Sequence, residues 1–294
     1  MSTPIDRPGI VVGVDGSSSS KAAIDWAARD AVLRNVSLTL VHVASGLGQA
    51  WPQTPPPVGL GEWQQRHCRE ILADAVRIAE NATREAHAIP IKTETYYSAI
   101  IPTLVDMSKG ADMVVVGCRG AGAFGPLLGS VSSGLANHAH CPVAVIHDDV
   151  PPPAPPPAPG HVLVGIDGSP VSELATAIAF DEASRRHVNL IALHAWSDTA
   201  LEFPDIDWAM IEASEDEVLA ERLAGWQERY PDVMVHRDVV CDRPARQLVE
   251  RSEAAQLVVV GSHGRGGYAG MLLGSVSSAV VQSVRAPVIV ARAQ

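Results

Sequence analysis

The 294-residue chain is short of positive charge: 22 lysines and arginines stand against 33 aspartates and glutamates, a net charge of −11. No basic run offsets that balance, so a nucleic-acid backbone is repelled and binding of DNA or RNA is not expected. The same balance is compatible with a single nucleotide held by local donors. Long apolar runs are missing as well; none reaches the roughly 20 residues that span a bilayer, so no membrane span is expected. No positively charged segment precedes an apolar core at the N-terminus, which predicts a chain without a secretory signal and a cytoplasmic location. Cysteine is scarce: Cys68, Cys118, Cys141 and Cys241 show neither close pairing nor zinc spacing, and fit reduced thiols. Gly-Lys-Ser/Thr is absent, which removes a Walker loop. No Ser-His-Asp spacing or paired carboxylates stand out, and His138 and His140, two apart on a helix, cannot share a face for a metal.

What the chain does have is a repeat. Val11-Val-Gly13-Val-Asp15-Gly-Ser17 returns as Leu163-Val-Gly165-Ile-Asp167-Gly-Ser169, an offset of 152. His42 falls on His194 at the same offset, while Val114–Gly117 matches Val258–Gly261 at 144 and Gly129-Ser130 matches Gly274-Ser275 at 145. This is duplication of a whole domain. Residues 151–160 are nearly all proline and alanine, an extended linker of roughly 3 Å per residue. The expected domains are therefore 1–150 and 161–294.

Each half alternates strands with helices. In the first, strands are expected at 10–14, 36–43, 91–97, 113–116 and 143–147, with helices from Ser17–Ser20 onward and over 62–87, 102–109 and 130–140. Residues 46–60 read as a loop. The second half repeats this order and closes on a strand at 288–291. Such alternation implies parallel pairing with right-handed crossovers, hence two tandem doubly wound α/β domains. Ligands of such sheets bind beyond the carboxyl ends of the strands, where the strand order switches.

The Val-Val-Val strand that ends at Gly261 opens into a glycine-rich loop and then a helix start at Ser275. Glycines let backbone N–H groups approach a phosphate, and a helix N-terminus adds unpaired donors and a positive dipole end. The loop Gly261-Ser262-His263-Gly264-Arg265 through Gly274-Ser275-Val276-Ser277, and its copy Gly117-Cys118-Arg119-Gly120 through Gly129-Ser130-Val131-Ser132, are therefore expected to bind phosphate. Two literal dinucleotide fingerprints inside these loops, from Gly120 and from Gly264, follow the fourth strand and not the first, which rejects a Rossmann dehydrogenase. Arg119, His263 and Arg265 would meet phosphate charge or point to water. Cys118, placed in the loop, is a candidate for redox sensitivity.

Asp15 and Asp167 end the first strands. Beside a polyphosphate a bare carboxylate is repulsive, so each is expected to face base or ribose, or to hold a Mg²⁺. Capping the adjoining helix or turn is the alternative. Asp198 could meet a ribose hydroxyl, although the matching place in the first half is Gly46. His42 and His194 lie in apolar strands and read as structural.

The Gly-x-Asp-Gly-Ser start, the Val-Val-Val-Gly-x-x-Gly strand and loop, the Gly-Ser-Val-Ser helix start and the closing Cys-Pro-Val or Ala-Pro-Val strand resemble the universal stress protein family, most of all its tandem-domain actinobacterial members. The resemblance covers nearly the whole chain. It implies five-stranded parallel domains of order 3-2-1-4-5, ATP as ligand, association through the last strand, and a part in stress response, dormancy or growth arrest. By the same resemblance Gly13, Val14, Asp15, Val43, Val116, Gly117, Gly120, Gly129, Ser130, Val131 and Ser132 would hold the nucleotide in the first domain. In the second these become Gly165, Ile166, Asp167, Ala195, Val260, Gly261, Gly264, Gly274, Ser275, Val276 and Ser277.

One departure matters: eight residues separate Gly120 from Gly129, where Gly264 and Gly274 are separated by nine. One residue spans roughly 3–4 Å, longer than a hydrogen bond, so weaker ATP binding is expected in the first domain. The chain is expected to act as a nucleotide-dependent sensor or regulator for a further protein partner, with a homodimer as an optional assembly. The alternatives are a slow Mg²⁺-dependent ATP hydrolase or phosphotransferase, and an interaction module with a vestigial crevice. Gly117→Ala and Gly261→Ala are both expected to lower nucleotide affinity without unfolding the domain.

Overall fold

A computed structural model describes residues 8–44, 58–118, 129–148, 160–196, 208–265 and 273–292. The chain divides into two compact units, 1–149 and 150–293. The 151–159 stretch, like the expected loop at 46–57, lies outside the described residues.

In the first unit the order is β1 (Ile10–Gly13), α1 (Ser18–Arg34), β2 (Leu38–Ala44), α2 (Leu60–Ala82), β3 (Ile91–Tyr97), α3 (Ile100–Met107), β4 (Met113–Cys118), α4 (Ser130–His138) and β5 (Val143–His147). The strands lie in the order β3-β2-β1-β4-β5, and every described pairing is parallel. The second unit repeats the plan with β6 (His161–Gly165), α5 (Pro170–Arg186), β7 (Leu190–Trp196), α6 (Trp208–Arg229), β8 (Val235–Cys241), α7 (Pro244–Ser252), β9 (Ala255–Gly261), α8 (Ser275–Ser283) and β10 (Val288–Ala291). Its order is β8-β7-β6-β9-β10, the same 3-2-1-4-5 arrangement.

Burial explains the placing. Val114 and Val115 of β4, and Val258 and Val259 of β9, are fully buried, as unbroken β-branched runs in a sheet covered on both faces must be. The outer strands β3 and β8 are partly exposed and carry Lys92 and Glu94, and Arg237 and Asp238, charges that discourage edge pairing. Helix α1 starts where the Ser17 hydroxyl accepts the Ser20 N–H at 3.2 Å, and α5 where Ser169 does the same for Ser172. The expected face Ala23, Ile24, Ala27 and Ala31 is buried. Both helices end on a left-handed residue, Asn35 and His187, each at φ 53° and ψ 49°. The next N–H then reaches back across the end, Val36 to Ala31 O at 3.0 Å and Val188 to Ala183 O at 3.1 Å, a Schellman closure.

Several boundaries differ from expectation. Helix α2 stops at Ala82, short of 87, because Thr83 leaves helical geometry and turns its hydroxyl onto Ala79 O. Helix α3 begins at Ile100, before Pro102; a proline in the first turn costs no hydrogen bond, since that N–H would be unpaired anyway. Helix α4 stops at His138, where Ala139 turns extended. Strand β4 runs two residues past Val116, with Gly117 opposite Ile146 and Cys118 opposite His147. Cys118 therefore belongs to a strand, not to the loop. It is 2% exposed, which removes it as a redox candidate; the exposed thiol is Cys241. Among the described residues no helix is long and apolar enough to cross a membrane.

Candidate functional site

In each unit the first strand pairs with the second on one side and the fourth on the other. The chain therefore leaves the first and fourth strands in opposite directions, and a crevice opens beyond their carboxyl ends. In the second unit that crevice has a volume of about 590 Å³. Gly165, Ile166 and Asp167 at the end of β6, Val260 and Gly261 of β9 and Ala195 of β7 line it. His263, Gly264 and Arg265 come from the glycine loop, and Gly274, Ser275, Val276 and Ser277 from the start of α8.

The turn after β6 is built by its own side chains. Gly168 sits at φ 77°, a conformation suited to glycine. Asp167 Oδ1 accepts the Ser169 N–H at 2.9 Å, and the Asp167 N–H donates to Ser172 Oγ at 3.1 Å. The turn-capping reading of this carboxylate is thus realised. Its other oxygen, Oδ2, accepts the Arg265 N–H at 3.1 Å. Two further bonds close the glycine loop on its stem: the Gly274 N–H donates to Ser262 O at 2.7 Å, and the Ser277 hydroxyl to Gly261 O at 2.5 Å.

Helix α8 starts differently from α5. Its cap residue is Gly274, which has no side chain to accept the first N–H groups. Because the Ser277 hydroxyl is turned to Gly261, the first-turn donors of α8 and the positive end of its dipole are left to whatever occupies the crevice. That arrangement stabilises an anion.

The first unit has the same plan in smaller form. Gly13, Val14, Asp15, Val43, Val116, Gly117 and Val131 line a cavity of about 60 Å³. Asp15 Oδ1 accepts both the N–H and the hydroxyl of Ser17, at 2.9 and 2.6 Å. Gly129 also caps its helix without a side chain, but the Ser132 hydroxyl turns onto Gly129 O at 3.3 Å and not back to β4. Gly129, Ser130 and Ser132 do not line this cavity, and neither does the buried Cys118. Ser262 is likewise 2% exposed and off the second cavity, with its hydroxyl 3.1 Å from His263 Nδ1. Arg119, Gly120 and Asp198 lie outside the described residues.

The two strand histidines are structural. His42 Nδ1 lies 2.7 Å from Val14 O, and His194 Nδ1 lies 2.6 Å from Ile166 O. A carbonyl only accepts, so Nδ1 carries the proton in both rings and ties the second strand to the end of the first. His194 Nε2 is also 3.3 Å from Glu215 of α6.

One expectation is corrected. A β-carbon at Gly117 would meet the backbone of α1, with Ser19 O at 2.5 Å and Ser20 N at 2.8 Å. This glycine of the cavity lining also makes room for α1, so Gly117→Ala strikes the fold first. Gly261 is less crowded: its nearest neighbours, His263 O and Val171, stand at 3.3 Å.

The apolar walls were not read from the sequence. Leu193, Trp196, Pro244, Leu248 and Leu273 line the second crevice, and Val41, Ile100 and Leu104 the first. Leu104 and Leu248 stand at the 144 offset, on the short helix after the third strand, and each packs on the first-strand glycine of its unit. That repeat was the available signal. As for Mg²⁺, Asp167 is the single carboxylate on the second crevice among the described residues, and both its oxygens already accept N–H donors. The donor set does not fit a resident Mg²⁺.

Comparison with known proteins agrees with this architecture. The Universal stress protein family matches the chain twice, over residues 8–147 and 159–292. Universal stress protein Rv2623 of Mycobacterium tuberculosis is 58% identical over 99% of this chain and 99% of its own length. Universal stress protein Rv2005c of the same organism is 58% identical over the same shares. A crystal structure of a universal stress protein from Archaeoglobus fulgidus has a TM-score of 0.72 at 20% identity, covering 99% of this chain and 100% of that one, a likeness of fold. With both halves matched and full-length relatives at this identity, the chain belongs to the universal stress protein family.

Proposed function

We propose that the chain binds ATP in the crevice of its second unit and works as a nucleotide-dependent regulator. The observation that carries this reading is the uncapped start of α8 opening onto a cavity of about 590 Å³. That volume falls in the roughly 300–1,000 Å³ range of small-molecule sites. Phosphates suit the α8 donors, while Ile166, Leu193, Ala195 and Leu248 offer apolar surface for a base. Family membership supports the same ligand class, and it alone supplies the link to stress or growth arrest.

The first unit is proposed as the weaker site. Its loop is one residue shorter, its cavity is about 60 Å³, and Ser132 does not make the closure that Ser277 makes. Among the described residues at or beside the two crevices, the hydroxyls set beside a base are Ser17, which with Asp15 builds the turn after β1, and Ser262, which is buried off the second cavity beside His263, so regulation is put ahead of hydrolysis. Native mass spectrometry of the purified chain and calorimetric titration with ATP test the proposal together. One tight ATP site and one weaker site are expected. Two equal sites contradict the ranking of the units, and no binding at either contradicts the reading as a whole.

A further inference from the structure

The glycine loop of the second unit leans on a carboxylate that belongs to a different part of the chain. Asp167 Oδ2 accepts the Arg265 N–H at 3.1 Å, while Oδ1 is already fixed by the Ser169 N–H at 2.9 Å. Gly264 lies against the same Oδ2, so closely that a β-carbon there would overlap it. The other two closures, Gly274 to Ser262 and Ser277 to Gly261, join the loop only to its own stem. Among the described residues the Asp167–Arg265 bond is the hydrogen bond that fastens the loop to the turn after β6.

A carboxylate beside a phosphate site raises the energy of any polyphosphate placed there, unless its charge is engaged elsewhere. Here both oxygens are engaged, and Asp167 is half-buried. We propose that Asp167 is a positioning residue: it holds the Gly264–Arg265 arm of the loop in place, and acts on the nucleotide through that arm. The proposal rests on the nucleotide reading above. It assigns Gly264 a second duty, that of leaving room for the carboxylate.

The test uses the full-length chain and the variants Asp167→Ala, Asp167→Asn, Gly264→Ala and the double variant Asp167→Ala/Gly264→Ala. Two quantities are read: ATP affinity by calorimetry, and amide hydrogen exchange over residues 262–265 without ligand. Asp167→Ala is expected to speed exchange in the loop before any ligand is added and to weaken ATP by about 10- to 100-fold, the worth of one charge-assisted hydrogen bond. Gly264→Ala pushes the carboxylate aside and should give a loss of similar size. With the carboxylate gone the new methyl has space, so the double variant should bind no more weakly than the worse single variant. Asp167→Asn keeps one acceptor oxygen for the turn, so it stays folded even if Asp167→Ala does not, and it should give a partial loss.

Losses that multiply in the double variant overturn the proposal. So does weakened ATP binding by Asp167→Ala or Asp167→Asn with loop exchange unchanged, which would mean direct contact with the nucleotide. Should the parent chain bind no ATP, the nucleotide reading falls, and the exchange measurement still decides whether Asp167 fastens the loop.

Discussion

Glycines 117 and 261 occupy matching places in the two units, and the structure predicts unequal outcomes on substitution by alanine. At Gly117 the added carbon would sit 2.5 Å from Ser19 O and 2.8 Å from Ser20 N. Carbon packs comfortably at about 3.5–4.0 Å, so α1 or β4 must move by roughly 1 Å. The obstacle is backbone in the first turn of α1, where the Ser17 cap and the Ser20 bond to the Asp15 N–H hold the chain. Side-chain rotation cannot relieve it. Overpacking of this kind costs about 1–3 kcal/mol, and the rigid neighbour argues for the upper end. At about 2–4 °C per kcal/mol, the first unit should melt roughly 6–12 °C lower.

At Gly261 the nearest atoms stand at 3.3 Å and include a valine methyl, so a few tenths of an ångström suffice. Replacing glycine also removes freedom from the unfolded chain, worth about 0.4–1 kcal/mol in favour of the variant. The net change should be close to zero. Differential scanning calorimetry of the full-length variants, with hydrogen exchange to assign each transition to its unit, makes the comparison. A Gly117→Ala chain as stable as the parent, or an equal loss at Gly261→Ala, would refute the packing argument.

Three other outcomes are expected. His161 titrates below its ordinary range, because burial disfavours its charged form and His236 adds like charge, and its Nε2 is buried without a hydrogen-bond partner. The unfolded chain then takes up the proton first, so stability is complete above about pH 6.5 and declines as pH falls below it; His161→Gln should flatten that decline in denaturant titrations run from pH 8 to 5. Ser277→Ala removes the bond to Gly261 O and should weaken ATP several-fold, on the order of 0.5–1.5 kcal/mol, while Ser132→Ala leaves nucleotide binding unchanged. Cys241 should react with a thiol probe in the native chain, whereas Cys68, Cys118 and Cys141 should react only on unfolding, as mass spectrometry of the labelled protein would reveal.

Much of this architecture was legible because its signals are local. Val143–His147, Val288–Ala291 and Ile91–Tyr97 are strands at the residues expected from β-branched runs and alternation. The duplicated Asp-Gly-Ser and Gly-Ser-Val-Ser segments located both crevices, since turn chemistry and helix starts are written in short stretches. What stayed hidden depends on crossing segments. Leu248 and Pro244 carry no local mark of a site; the fold brings their helix over Gly165. That Gly117 must also make room for α1 stayed hidden because sequence does not say which backbone approaches a glycine. Asp167 offered a choice between cap and ligand contact, and only the path of a loop almost a hundred residues later adds the Arg265 bond.

The left-handed ends of α1 and α5 set an index for everything downstream. Asn35 and His187 differ chemically yet share one backbone geometry, and β2 or β7 begins within three residues of each. In a strand, a shift of a single residue exchanges the two faces. An insertion in this elbow would therefore present His42 to the side now served by Val43, and His194 to that of Ala195. The carbonyls of Val14 and Ile166 would lose their imidazole partners together with the crevice walls. Loop length is the tolerant variable in most folds, but in this one the turn out of the first helix is a ratchet tooth, and its count of residues shapes the crevice.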